Sequence, residues 1–124
     1  MDDIGNSQHD ILWDEADALN RVMGQEAILI LLVEAYIQDM PDIANSLEAA
    51  LHQHDLPAAA KHAHAIKGGA GNLSTFAVAE ITREIETLCL DNGDEQELLQ
   101  LFGEFKALLE QTVAKMRDWQ KLKA

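Results

Sequence analysis

Three glycines, Gly68, Gly69 and Gly71, stand inside a stretch whose apolar residues otherwise recur at helical spacing. A glycine within a helix costs about 0.5–1 kcal/mol relative to alanine, so the cluster gives up roughly 2 kcal/mol for something other than helix stability. The face they occupy narrows what that is. His64, Lys67, Gly68 and Gly71 stand at i, i+3, i+4 and i+7, which puts a histidine, a lysine and a floor without side chains on one side of the helix. That side is rotated away from the Ala63, Ile66, Ala70 stripe. The set suits a phosphoryl carrier. A neutral imidazole nitrogen is a good nucleophile toward phosphorus, Lys67 can neutralise phosphoryl oxygens as a point charge, and glycines admit a partner's active site. The attacking nitrogen must be the unprotonated one. The opposite ring N–H therefore needs an acceptor, and a carboxylate on the next helix would serve.

The elements that must position these residues follow from the same periodicity. The helix that carries His64 is predicted to open at Asp55 as N-cap, with Pro57 in its first turn, and to run to about Gly71. Ala59, Ala63, Ile66, Ala70 and Leu73 face inward, and so small-sided a stripe predicts close neighbours and a central place in a bundle. Val78, Ile81, Ile85 and Leu88 mark the next helix, from about Thr75 to Leu90, with Ser74 or Thr75 as cap and Asp91-Asn92-Gly93 as the turn that ends it. Asp94 caps a last long helix, whose seam is Leu98, Phe102, Phe105, Leu109, Thr112, Met116 and Trp119. Residues 25–54 supply either one helix kinked at Pro41 or two helices meeting there. A short helix from about Asp14 to Met23, closed by Gly24, precedes them. The sum is an all-α protein, an antiparallel four-helix bundle with a short extra N-terminal helix over residues 10–124, behind a flexible N-terminus at 1–9. The segment at 27–37 is apolar nearly all round. Burial by two core layers is the expectation from base rates, and a partly exposed docking surface is the alternative.

Composition excludes several classes of function. The chain has 124 residues, 48% of them hydrophobic, which suits one domain. Its formal charge of −13 repels nucleic acid and anionic membranes. Cys89 is the single cysteine, so there is no intramolecular disulfide and no CxxC motif; it reads as a small buried hydrophobe in a reducing, cytoplasmic setting. The longest apolar run, Ala27 to Val33, is too short to span a membrane, and the first ten residues lack a secretion signal. Lys115, Arg117, Lys121 and Lys123 complement the dipole at the end of the last helix and need no ligand. His52, His54, His62 and His64 form two His-x-His pairs. In a helix such residues point about 200° apart, which argues against a metal site.

The stretch Ala63-His64-Ala65-Ile66-Lys67-Gly68-Gly69-Ala70-Gly71-Asn72-Leu73 resembles the signature of histidine-containing phosphotransfer (HPt) domains, including the phosphoacceptor domain of chemotaxis histidine kinases. ILWDEADALNRVMG followed by LLVEAYIQDMP is similar to the front half of HPt domains in hybrid-kinase phosphorelays, and the resemblance extends over residues 10 to about 120. It implies a helical bundle. Residue by residue, it implies that His64 is the phosphorylated histidine, that Lys67 neighbours the phosphoryl group, and that Gly68 admits the partner; Gly71 shares that open face. Glu86, on the following helix, stands where family members often place a Glu or Gln that hydrogen-bonds the histidine ring. From the residues alone, the alternative to that role is a solvated carboxylate or a partner for Arg83 or Lys67. Ser74 departs from a common family glycine but can cap the next helix. Gly69 replaces a frequent Ser or Ala and is expected to soften the helix locally.

The resemblance implies a carrier that takes a phosphoryl group on His64 from a receiver-domain aspartyl phosphate and passes it to a response-regulator aspartate. The expected partners are receiver domains of hybrid histidine kinases and of response regulators. No cofactor is expected on this chain, and Mg²⁺ is expected on the receiver. No GxxxxGK[ST] loop occurs, so the chain is expected not to be an enzyme that phosphorylates itself from ATP. A monomer is expected, with a dimer through 27–37 as the alternative. The linker-free ends favour a free-standing carrier over the tail of a longer hybrid kinase. Docking is expected to use exposed apolar residues of 27–37 beside His64. The rival function is a helical docking or adaptor domain that binds signalling partners without phosphoryl transfer.

Overall fold

The computed structural model describes residues 10–123; the N-terminal expectation for 1–9 lies outside them. Five helices make up the described chain: α1 (Glu15–Arg21), α2 (Glu26–His52), α3 (Leu56–Asn72), α4 (Phe76–Leu90) and α5 (Glu95–Lys123). Acidic caps start three of them. Asp14 Oδ1 accepts from the Asp17 amide, Asp55 Oδ1 from the Ala58 amide and Asp94 Oδ2 from the Glu97 amide, each satisfying an otherwise orphaned helix N–H. The turns between helices use left-handed backbone at Met23 and Gly24, His54, Ser74 and Asn92.

α2 runs unbroken through Pro41, which settles the alternative at that residue in favour of one helix. The proline ring sits on the exposed side, where the lost helical hydrogen bond faces solvent rather than core. Each long helix packs on its neighbour in the chain, and α2 and α5 close the bundle. Short turns make successive helices antiparallel. α3 and α4 form the most extensive pair, as the small inward residues of α3 allow: Ala59, Ala60, Ala63 and Ala70 are all buried, together with Ile66. The seven-residue seam of α5 is buried along its whole length. Cys89 is buried as expected, and that burial pushes its thiol above the ordinary range.

The segment at 27–37 divides between two faces. Leu29, Val33, Tyr36 and Ile37 enter the core, whereas Leu31 remains 69% exposed, with Ile28 and Leu32 about 40% exposed beside it. The core expectation therefore holds for one face only. A helix of a single-layer bundle has one buried side, and the apolar surplus faces outward.

The N-terminal segment ties down the turn between α3 and α4. Ser74 does not cap α4, and neither does the hydroxyl of Thr75, although Thr75 holds the N-cap position. Ser74 Oγ instead donates to Asp17 Oδ2 at 2.6 Å, and the Asp14 amide donates to the Ser74 carbonyl. The Ser74 hydroxyl and the Arg21 guanidinium hold the Asp17 carboxyl below the usual carboxylate range. Thr75 Oγ1 donates to the Ala70 carbonyl and is 2.9 Å from the Tyr36 hydroxyl, linking α2 to both ends of the turn. The Ala77 amide, in the first turn of α4, donates to the Ile11 carbonyl. Trp13 completes the anchorage by an edge-to-face contact with Trp119, ring centres 5.4 Å apart.

Candidate functional site

His64 projects from the outer face of α3, with 68% of its side chain exposed, and Glu86 meets it from α4. The pairing follows from register. In an antiparallel hairpin, residues equally far from the turn stand side by side, and His64 and Glu86 lie equally far either side of Thr75, the N-cap of α4. His64 Nδ1 lies 2.9 Å from Glu86 Oε2, and Lys67 Nζ donates to Glu86 Oε1 at 2.8 Å. One carboxylate thus holds two side chains of α3, His64 and Lys67. The hydrogen bond from Lys67 is the largest influence on Glu86. With the bond from His64 it outweighs partial burial and keeps the carboxyl below its ordinary value.

That charge state fixes the tautomer. An ionised carboxylate only accepts hydrogen bonds, so Nδ1 carries the proton and a neutral ring has its lone pair at Nε2. The sequence alone leaves Glu86 either as the group that orients the histidine ring or as a solvated carboxylate or a partner for Arg83 or Lys67. In the structure it bridges Lys67 and His64 at once. Arg83 pairs instead with Glu80.

The three glycines divide by surroundings. Among the described residues, a Cβ added at Gly68 or Gly71 would meet no heavy atom within 4 Å, so no packing contact there demands glycine at either position. A Cβ at Gly69 would come within 2.6 Å of Met40 Cε. At Gly69 the missing side chain leaves room for the end of Met40 from α2, a packing role in addition to any local softening of the helix. No signal in a single sequence separates it from its neighbours.

Beside the open glycine floor, α2 and α3 enclose a shallow groove of about 240 Å³, lined by Leu32, Ala35, Asp39, Ala65, Gly69 and Asn72 among others. The exposed Ile28 and Leu31 extend the apolar surface of α2 beyond it. Ala35, Asp39 and Asn72 were not legible as groove residues, because only the packing of α2 on α3 places them there. A larger apolar groove of about 300 Å³, between α2 and α5, is lined by no residue of α3 or α4. Among the described residues no three His, Cys, Asp or Glu side chains gather as a metal ion would require; His54 lies in a turn and His52 faces Glu48. Among the described residues no helix is long and apolar enough to cross a membrane.

Comparison with known proteins agrees with this fold. The family model for the Hpt domain matches residues 31–115. The chain is 28% identical over 116 residues to the phosphorelay intermediate protein rdeA of Dictyostelium discoideum, a match that covers 90% of this chain and 41% of that protein. The chain thus spans about two fifths of the length of that curated relative. Histidine-containing phosphotransfer protein B (HptB) from Pseudomonas aeruginosa PAO1 superposes with a TM-score of 0.82 at 20% identity, over 89% of this chain and 95% of the other. The HPT domain of an Hpt sensor hybrid histidine kinase from Shewanella gives 0.78 at 13% identity, over 94% and 97%. At such identities these two structures show a shared fold.

Proposed function

The chain belongs to the Hpt domain family, and we propose that it serves histidine phosphotransfer in a two-component relay with His64 as phosphoacceptor, Lys67 as neighbouring cation and Glu86 as the acceptor that orients the ring. The observation that carries this reading is the Glu86 bridge, which holds Nδ1 and Lys67 together and leaves the lone pair at Nε2. In the transfer step, that lone pair attacks the phosphorus of an aspartyl phosphate on a receiver domain. The new bond is N–P; the P–O bond to the aspartate breaks, and its electron pair leaves on the carboxylate. The ring keeps its Nδ1 proton and so becomes an imidazolium, whose charge Glu86 is placed to stabilise. Lys67 stands one turn away to balance charge on the phosphoryl oxygens. The reverse step delivers the group to the aspartate of a second receiver.

The receiver, in this reading, supplies Mg²⁺ and most of the stabilisation of the transition state, and the chain acts as a carrier without ATP-dependent kinase activity of its own. Gly68 and Gly71 give the receiver its close approach, and Ile28, Leu31, Leu32 and the groove between α2 and α3 give it an apolar seat. The test is transfer from a panel of phosphorylated receiver domains to the wild-type chain and to His64→Gln, with the acid lability of the product measured. Acid-labile label on wild type alone is expected, and Lys67→Ala should slow labelling without abolishing it. Equal labelling of wild type and His64→Gln would overturn the assignment. Receivers that bind both forms equally and label neither would identify a docking domain.

A further inference from the structure

The charges at the site are balanced before any phosphoryl group arrives. Lys67 and the Glu86 carboxylate neutralise each other, and the ring in the unprotonated form that attacks phosphorus adds nothing. A phosphoryl group brings about −1.5 to −2 charge, of which the imidazolium formed at Nε2 offsets one. The remainder falls on a chain whose net charge is already −13. An uncommitted cation on this face would balance it.

α3 and α4 carry three lysines and arginines. Lys67 is held by Glu86 and Arg83 by Glu80. Lys61 is exposed and forms no ion pair or hydrogen bond among the described residues. Its helical neighbours three and four residues away are Pro57, Ala58, His64 and Ala65, so its own helix offers it no carboxylate. Lys61 and Lys67 stand three residues before and after His64, which at the helical repeat places them about 60° to either side of it. Lys67 is on the side of Glu86; Lys61 is on the side of Gly68. Helical side chains lean toward the N-terminus, so the turn that carries Lys61 lies within reach of His64, with Cβ atoms roughly 5–6 Å apart. The flexible stem of a lysine spans that gap.

Resting on the phosphocarrier reading above, we propose that Lys61 is the second cation of the phosphoryl site, closing on the phosphoryl oxygens at Nε2 from the side opposite Lys67 and Glu86. In this role Lys61 stabilises phospho-His64 in the free carrier, so it shifts the position of the transfer equilibrium as well as its rate. A lysine that only steers the receiver into contact changes forward and reverse rates together and leaves the equilibrium where it was.

Reversible transfer between a phosphorylated receiver and the chain, run to equilibrium, separates these roles. For Lys61→Gln the ratio of phospho-His64 to phospho-receiver should fall about three- to tenfold at low ionic strength, with a smaller difference at high salt. Lys61→Arg should restore it, and the circular dichroism of the variants should match wild type. An unchanged equilibrium ratio in Lys61→Gln, with wild type labelled normally, would overturn the inference alone. Failure of wild type to take label from any receiver it binds would overturn the phosphocarrier reading, and the inference with it.

Discussion

Replacing Gly68 separates what the chain needs in order to fold from what a partner needs in order to dock. The residue lies inside α3, one turn before its C-terminal end, and has no positive φ that only glycine would tolerate. An added Cβ meets nothing within 4 Å. Alanine should therefore recover the ordinary helix-propensity difference, about 0.5–1 kcal/mol. For 124 residues the entropy of unfolding is roughly 0.26 kcal/mol per kelvin, so the melting temperature should rise by about 2–4 °C. Gly69→Ala is the internal control. Its Cβ would collide with the end of the Met40 side chain, and the displacement of that flexible group should offset most of the same gain. Gly68→Gln should also be at least as stable as wild type, yet its side chain stands on the approach to Nε2 and should reduce transfer at least tenfold at limiting receiver. Thermal melts and single-turnover transfer on the same preparations give both numbers. A less stable Gly68→Ala would show that the chain itself needs the glycine. Undiminished transfer by Gly68→Gln would show that no partner does.

Glu86→Gln should leave an acceptor for the Nδ1 proton but remove the charge that stabilises the imidazolium and engages Lys67, so transfer should fall about tenfold with the fold retained; a rate equal to wild type would refute the orienting role. Because Glu86 has its carboxyl lowered from 4.5 in the folded chain, it contributes stability above that pH, and the contribution is lost as pH falls through the folded value. Chemical denaturation between pH 6 and 3 should accordingly show a shallower loss for Glu86→Gln than for wild type. Tyr36 offers a second titration, at the alkaline end, and it is the single tyrosine of the chain. Burial raises its phenol from 10.0 to about 12. Stability is therefore intact below pH 10 and should drop by about 3 kcal/mol as pH rises toward 12. Absorbance at 295 nm that follows a pKa near 10 in the folded protein would contradict this.

Much of the fold was legible because the periodicities were long. The seam from Leu98 to Trp119 defined α5, and the caps expected at Asp55 and Asp94 act as caps in the structure. Pro41 was ambiguous for a physical reason: a proline on the outer face of a helix and a proline between two helices leave the same local signal. Ser74 and Thr75 misled because a hydroxyl before a helix usually caps it. Here the tertiary partners Asp17, Tyr36 and the Ala70 carbonyl take up both hydroxyls, and such partners, 39 and 57 residues distant for Tyr36 and Asp17, cannot be read locally. The apolar excess at 27–37 was visible, but its division into a buried and an exposed face depended on where α3 packs.

The histidine and its carboxylate illustrate how a site can be set by turn geometry rather than by proximity in sequence. His64 and Glu86 meet because the chain reverses at Thr75, halfway between them. One residue more in that turn would rotate Glu86 by about 100° around α4 and shift it about 1.5 Å along the axis, out of reach of both Nδ1 and Lys67. The turn is also where the N-terminal segment and α2 concentrate their polar contacts. Asp17 and the Asp14 amide hold Ser74 in its left-handed conformation, and Tyr36 meets the hydroxyl that Thr75 directs to Ala70. These groups lie roughly 15 Å along the helices from His64, counting 1.5 Å per residue, and none of them touches the ring. Their effect on the chemistry passes through register alone. A helix that carries three glycines can hold the His64 ring in a defined tautomer because the end of that helix nearest the glycines is fixed from two directions.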